Sequence, residues 1–275
     1  MHTPPQLFNR SLRRQRLDRA APGYANADFL HRRAAQDVAE RLAPILRSFP
    51  LAVDLSAHGG AFREALGTEA PGKVGTLIEA DLSPRMLAAR TGPRLVADDE
   101  RLPFAEASLD LIVSCLSLHW TNDVVGALIP ARRALKPGGL FIAAFLGGIT
   151  LTELRQSLVA AESEILGGAG SRVSPFADVA DAANLLDRAG FKEGVADVDT
   201  VTVTYAHPLK LLTDLRQMGE TSVLADRHPK PLTRTLLART FEIYAERFAQ
   251  PDGRVAATFE IITLTGWAPL AQASR

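Results

Sequence analysis

The amino-acid sequence predicts an α/β fold: a mostly parallel, seven-stranded sheet with an antiparallel edge and helical insertions. Three observations predict it. Short apolar runs alternate with helical patterns through residue 146, the spacing of parallel strands joined by right-handed crossovers. The first four runs stop at polar residues, namely Asp54, Asp81, the pair Asp98-Asp99, and Ser114. Two late stretches, residues 198–205 and 258–267, alternate apolar and polar side chains as half-buried strands do. A helical insertion separates them, so neighbouring antiparallel strands at one sheet edge are expected rather than a hairpin.

Each element has a local reason. Residues 28–46 read as a helix, with Asp28 as N-cap and Phe29, Ala34, Val38 and Leu42 along one face. Ser48-Phe49-Pro50 ends it and feeds the first strand, which runs to Asp54. A small-residue turn follows, and a helix starts at Phe62. Residues 74–80 form the second strand. Ser83 as cap and Pro84 at the first helical position then open a helix containing Met86-Leu87-Ala88-Ala89. The third strand, residues 95–97, is short, and the fourth spans 109–115. Residues 122–135 are expected to be helical, closed by Lys136-Pro137-Gly138-Gly139 before a fifth strand at 140–145. Helices are expected at 152–166, from Ser174-Pro175-Phe176 to Leu186, at 209–218 and at 232–248.

Composition narrows the function classes. The chain has 275 residues, 47% hydrophobic and 23% charged, with 31 basic and 31 acidic side chains. A net charge of zero disfavours bulk nucleic-acid binding. Cys115, the single cysteine, excludes an internal disulfide framework and fits a reducing compartment. Its apolar strand-end setting predicts a buried, inert thiol. No apolar run approaches the roughly 18–20 residues of a membrane span, so a cytoplasmic location is the expectation. The six histidines and one cysteine show no metal-binding spacing. Arg10, Arg13, Arg14, Arg16 and Arg19 give the first twenty residues a basic character that suits either a solvated helix face or a mitochondrial transit peptide.

In an open parallel sheet, polar residues at strand ends converge on one crevice, and ligands bind there. The first turn, Asp54-Leu55-Ser56-Ala57-His58-Gly59-Gly60, resembles motif I of class I S-adenosylmethionine (SAM)-dependent methyltransferases, an acid followed by x-Gly-x-Gly-x-Gly. Ser56 and His58 stand at the first two glycine positions, and Gly60 matches the third. Asp81-Leu82-Ser83-Pro84, Leu102-Pro103-Phe104, Ser117-Leu118-His119-Trp120 and Leu135-Lys136-Pro137-Gly138-Gly139 follow the same pattern. A narrower resemblance, to the complex I assembly factor 5 family, covers nearly the full length. It rests on Leu7-Phe8-Asn9-Arg10, Arg16-Leu17-Asp18-Arg19-Ala20-Ala21, the run from Gly147 to Arg155, Ser174-Pro175-Phe176, Met218-Gly219-Glu220 and the last strand. That family is related to the malonyl-carrier-protein methyltransferases of biotin synthesis.

The resemblance implies a Rossmann-like SAM-binding fold acting on a protein client, a peripheral-arm subunit of NADH:quinone oxidoreductase. It also implies that the basic start belongs to the folded domain, and a bacterial cytoplasmic homologue is expected, with the mitochondrial matrix as alternative. Asp54, Ser56, His58 and Gly60 would surround the methionine end of SAM, Asp81 with Leu82 the ribose, and Asp98 with Asp99 the adenine, with Ser114 at the end of the fourth strand. Ser56 is tolerable if its hydroxyl caps the next helix. The His58 ring hydrogen-bonds the methionine carboxylate, faces outward as a neutral ring, or occupies the carboxylate's space. His119 either acts as a general base or packs with Trp120 over the cofactor. Three segments are expected: 1–50 a helical lid or docking segment, 51–146 the SAM-binding core, and 147–275 a half that completes the sheet and covers it. Arginine hydroxylation on the same fold, or a non-catalytic assembly chaperone, are the alternatives to methyl transfer.

Overall fold

Burial alternates along the strands, and the two faces it creates set the architecture. In the fifth strand Leu140, Ile142 and Ala144 enter one core, while Phe141, Ala143 and Phe145 enter another on the opposite face. The computed structural model describes residues 6–174, 179–226 and 232–271. Among them, β1 (Phe49–Leu55), β2 (Val74–Asp81), β3 (Arg94–Val96), β4 (Leu109–Cys115), β5 (Leu135–Leu146), β6 (Lys192–Tyr205) and β7 (Val255–Trp267) form one sheet in the order β3-β2-β1-β4-β5-β7-β6. The first five are parallel. β7 runs antiparallel to both β5 and β6, so the expected antiparallel edge is present.

The helices are α1 (Arg10–Ala20), α2 (Phe29–Leu42), α3 (Ala61–Glu69), α4 (Val124–Ala134), α5 (Thr152–Leu166), α6 (Val179–Ala189), α7 (Pro208–Gln217) and α8 (Arg234–Phe248). The larger core takes side chains from α2, α3, α5, α7 and α8, with Phe49, Phe62 and Phe259 among the fully buried rings. The other takes Leu128 and Ala131 of α4 with Ala182 and Leu186 of α6. No helix among the described residues is long and apolar enough to cross a membrane.

Five expectations need correction. The residues after Ser83 do not form a helix. Ser83 Oγ caps the Met86 N–H as expected, but the chain continues through i,i+3 turns (Ala88 to Arg85, Arg90 to Leu87) before Thr91-Gly92-Pro93 ends it. Asp28 precedes α2 without capping it; its carboxylate pairs instead with Arg32 one turn on, at 2.9 Å, and α2 stops at Leu42 rather than Leu46. α4 begins at Val124, capped by Asp123, whose side chain accepts from the Gly126 N–H at 2.8 Å. The Lys136–Gly139 tetrapeptide belongs to β5, which takes it up through an irregular register against β4. The expected helix start at Pro175-Phe176 lies outside the described residues.

The N-terminal segment is sewn to the far side of the chain. The Asn9 N–H donates to Val223 O and the Ala225 N–H to Leu7 O, each at 2.8 Å. Phe8 packs edge-on against Trp120. These contacts carry α1 across the carboxyl ends of the central strands.

Candidate active site

The order of the sheet reverses between β1 and β4, and polar residues gather beyond the carboxyl ends of the strands there. The turn after β1 keeps glycine-like geometry with other residues. Ser56 and His58 have φ of 67° and 43°, and Gly59 and Gly60 follow at 103° and 89°. Left-handed backbone costs a side-chain-bearing residue roughly 1–2 kcal/mol, so the turn is strained at both replaced positions. Arg90 steadies it from outside, donating to Gly59 O at 2.7 Å and to the buried Glu79 at 2.9 Å, where Arg63 also pairs. The left-handed backbone favours glycine at position 60, and a Cβ there would fall 2.1 Å from the Arg90 guanidinium carbon and push that side chain off Gly59 O.

Ser56 does not cap α3. The N-cap is Gly60, with no side-chain hydrogen bond, and the Ser56 hydroxyl points instead at Asp99 from 3.5 Å. Asp81 is buried and oriented by two backbone donors, His58 N–H on Oδ2 at 3.0 Å and Ser83 N–H on Oδ1 at 2.7 Å. The His58 ring Nδ1 lies 3.1 Å from the same Oδ2 without hydrogen-bond alignment. Leu82 is half-buried beside the small cluster of Leu17, Ala20, Tyr24 and Met86.

Asp98 and Asp99 follow β3, and α1 reaches them. Arg10 donates to Asp98 at 2.5 Å and to Asp99 at 2.7 Å, and the Ser117 hydroxyl also donates to Asp99. Burial pushes the Asp99 carboxyl up, but Arg10 and Ser117 overcome it and hold the group below its ordinary range. Asp18, further along α1, accepts from the Ser83 hydroxyl at 2.6 Å. Arg10 and Asp18 of α1 therefore reach the crevice.

His119 stands in a buried network that only the fold assembles. Glu220, in the loop after α7, accepts from Arg13 at 2.7 Å, from Trp120 Nε1 at 2.8 Å and from His119 Nε2 at 2.9 Å. His119 Nδ1 accepts from the Leu146 N–H at 3.4 Å, so both ring nitrogens have partners. Burial holds His119 below its usual pKa despite Glu220. Glu220 itself is held far below the carboxylate range against the opposing effect of burial, because Arg13 and His119 face it.

Around these groups, several buried polar atoms have no hydrogen-bond partner among the described residues. They are both oxygens of Asp54, Ser114 Oγ, Thr121 Oγ1, Tyr24 OH and both ring nitrogens of His31 and of His58. Burial, with Glu79 and Asp81 nearby, pushes the Asp54 carboxyl well above its ordinary value. Burial likewise raises the Tyr24 hydroxyl and the Cys115 thiol. His31 packs edge-on to His58, ring centres 4.6 Å apart, with Tyr24 against both. Buried polar atoms without partners are costly, and they concentrate where a protein binds a polar ligand. Sequence reading missed Tyr24, His31, Arg13 and Glu220. Arg13 and Glu220 carried a signal only in the motif stretches around them, and the other two none. No group of metal-ligating side chains occurs among the described residues.

Comparison with known proteins agrees with this geometry. A family model described as a methyltransferase domain matches residues 53–143. The arginine hydroxylase NDUFAF5, mitochondrial, of Danio rerio is 38% identical over 270 residues, covering 96% of this chain and 83% of that protein. A malonyl-[acyl-carrier protein] O-methyltransferase of Halorhodospira halophila is 33% identical over 271 residues, covering 95% and 89%. Among solved structures, a Haemonchus contortus phosphoethanolamine N-methyltransferase complexed with S-adenosylhomocysteine superimposes with a TM-score of 0.51 at 15% identity, covering 85% of this chain and 52% of that one. With the methyltransferase sheet order, the strand-end acids and near full-length similarity in agreement, this chain belongs to the NDUFAF5 family of methyltransferase-fold proteins.

Proposed function

We propose that this protein binds SAM in the crevice beyond β1–β4 and transfers its methyl group to a protein client, a peripheral-arm subunit of NADH:quinone oxidoreductase in the bacterial cytoplasm. The observation that carries the reading is the set of buried, unpartnered polar atoms from Asp54, His58, His31, Tyr24, Ser114 and Thr121 at that one crevice. Those groups fit a zwitterionic, multiply hydrogen-bonding ligand. Asp54, Ser56, His58 and Gly60 would hold the methionine end, Asp81 with Leu82 the ribose, and Asp98 with Asp99 the adenine, with Ser114 lining the floor. Bound SAM supplies a methyl group activated by its sulfonium.

The chain's own residues prepare for this in three ways. Each Asp81 oxygen accepts one backbone N–H and keeps a lone pair, so the carboxylate stays fixed and still able to accept hydroxyls. Arg10 holds Asp99 ionised and closes the crevice at that end. His119, with both nitrogens engaged, positions Trp120 and Glu220 as part of the roof rather than serving as a free base. Methyl transfer depends on alignment more than on proton transfer, and a rigid roof serves alignment.

Calorimetric titration with SAM up to about 1 mM, reaching binding as weak as about −4 kcal/mol, tests the reading. Asp81→Ala should weaken affinity about ten-fold or more, since each charge-assisted hydrogen bond is worth roughly 1.5–3 kcal/mol. Silence in that titration from folded protein would favour an assembly chaperone. A second reading, hydroxylation of a client arginine, is favoured by the names of relatives that are 38% identical, which are arginine hydroxylases. Mass spectrometry of the modified client separates the two, because a methyl group and an oxygen atom add different masses.

A further inference from the structure

Not every arginine of α1 turns inward. Arg10 and Arg13 are consumed by Asp98, Asp99 and Glu220, whereas Arg19 is exposed on the other side of the helix. There it faces a cleft with a cavity volume of about 280 Å³ between the end of α1 and α7, lined by Arg19, Ala20, Gly23, Thr213, Arg216 and Gln217. Neither Arg19 nor Arg216 has an acidic partner among the described residues. Among the described residues no carboxylate lines the cleft. Asp18 is turned away to Ser83, and Asp214 lies beside Tyr205. The Thr213 hydroxyl is spent on Leu209 O, which leaves two guanidinium groups and the Gln217 amide as the donors.

Basic side chains in a last helical turn ordinarily offset the helix dipole, and Arg19 and Arg216 both occupy such turns. That accounts for each arginine alone. It does not account for two unpaired guanidiniums from different helices opening onto one cleft without an acid. The same geometry chooses the anion. Phosphate is drawn to backbone N–H groups at helix N-termini, and here both helices contribute their C-terminal ends. The negative dipole ends of the two helices oppose a doubly charged anion more than a singly charged one, so a carboxylate gripped by guanidinium forks suits the cleft better.

We propose that this cleft docks an acidic side chain from a glutamate- or aspartate-bearing segment of the protein client. The inference rests on the reading that the client is a protein. Its location gives it a purpose. Arg216 and Gln217 lead directly into Met218-Gly219-Glu220, and α1 carries Arg13 to the same carboxylate. A client held here sits against the two elements that roof the crevice.

Fluorescence anisotropy with a labelled oligoglutamate peptide at low ionic strength tests it, alongside calorimetric SAM titration of the same proteins. Wild type should bind the peptide, and added salt should weaken binding, as expected for exposed charges. The double variant Arg19→Glu/Arg216→Glu should lose about ten-fold or more of that affinity with SAM binding unchanged. Arg234→Glu/Arg247→Glu on α8, with the same change in charge, should retain it. No binding by wild type overturns the proposal. So does equal loss in the two double variants, which would reveal only general charge attraction. Displacement of the peptide by equimolar inorganic phosphate overturns the choice of a carboxylate. A protein that binds peptide and not SAM removes the cofactor reading and leaves the docking cleft. The reverse result removes the cleft alone.

Discussion

Arg13 and Glu220 meet at 2.7 Å with both side chains sealed from solvent, although 207 positions separate them in the sequence. Arg13 also donates to Gly219 O at 2.7 Å and lies 5.0 Å from the centre of the Trp120 ring. Buried pairs of this kind are strong evidence of a fixed arrangement and weak evidence of net stability.

Breaking the pair is the costly operation. Arg13→Ala leaves Glu220 buried and charged beside His119 and Trp120, and it should cost about 3–5 kcal/mol in urea denaturation. Glu220→Gln in the Arg13→Ala background should recover part of that loss by removing the stranded charge. An Arg13→Ala cost below about 1 kcal/mol would place the pair among exposed ion pairs, contrary to its burial.

The Arg10–Asp99 contact predicts an acid response. Asp99 is held below its usual range when folded, so its contribution is complete above the unfolded value of about 3.9. It disappears as pH falls through the lower folded value. Arg10→Gln leaves burial to act with only Ser117 against it, which lifts the carboxyl. Acid unfolding followed by circular dichroism should then begin at higher pH than in wild type. Coincident curves would mean that Arg10 does not govern this carboxylate.

The turn after β1 offers a gain in stability. Ser56 has φ of 67°, and its hydroxyl makes only a 3.5 Å contact with Asp99. Glycine removes a left-handed penalty of roughly 1–2 kcal/mol and restores about 0.5–1 kcal/mol of unfolded-chain entropy. Ser56→Gly should therefore stabilise by up to about 1 kcal/mol, seen as a raised Tm. A lowered Tm would show that the hydroxyl matters more than the strain.

Two buried histidines should make stability fall on mild acidification. Burial drives the His31 pKa well below its ordinary value, with His58 adding to the effect, and burial lowers His119 as well. Below about pH 6.5 the unfolded chain takes up protons that the folded chain refuses, so stability declines as pH drops through that region. His31→Gln should flatten the slope between pH 7.5 and 5.5, roughly one unit either side of that value. An unchanged slope would assign the dependence to other groups.

The sheet was legible because each strand announces itself locally. Residues 109–115 are apolar around Asp110, and residues 198–205 alternate, so strand position and edge orientation followed from pattern alone. The stretch after Ser83 misled because its cap and proline open a helix that Thr91-Gly92-Pro93 gives no room to continue. The crevice acids were readable as strand ends, but their partners were not. Arg10 on Asp98, Glu220 on His119, and the stack of Tyr24, His31 and His58 all join residues from distant parts of the chain. Periodicity carries no record of such contacts.

The distance between Arg13 and Glu220 also has a consequence for synthesis. A chain emerging from the ribosome presents α1 some two hundred residues before the loop bearing Glu220. Contacts so remote in sequence form late, after local structure has condensed. Until then α1 is held over the strand ends by Arg10 on Asp98 and Asp99 and by Asp18 on Ser83, while Arg13 has no carboxylate to meet. The roof of the crevice is thus completed only once the loop bearing Glu220 has been made, and a product truncated before it keeps α1 on the strand ends but leaves Arg13 without its carboxylate.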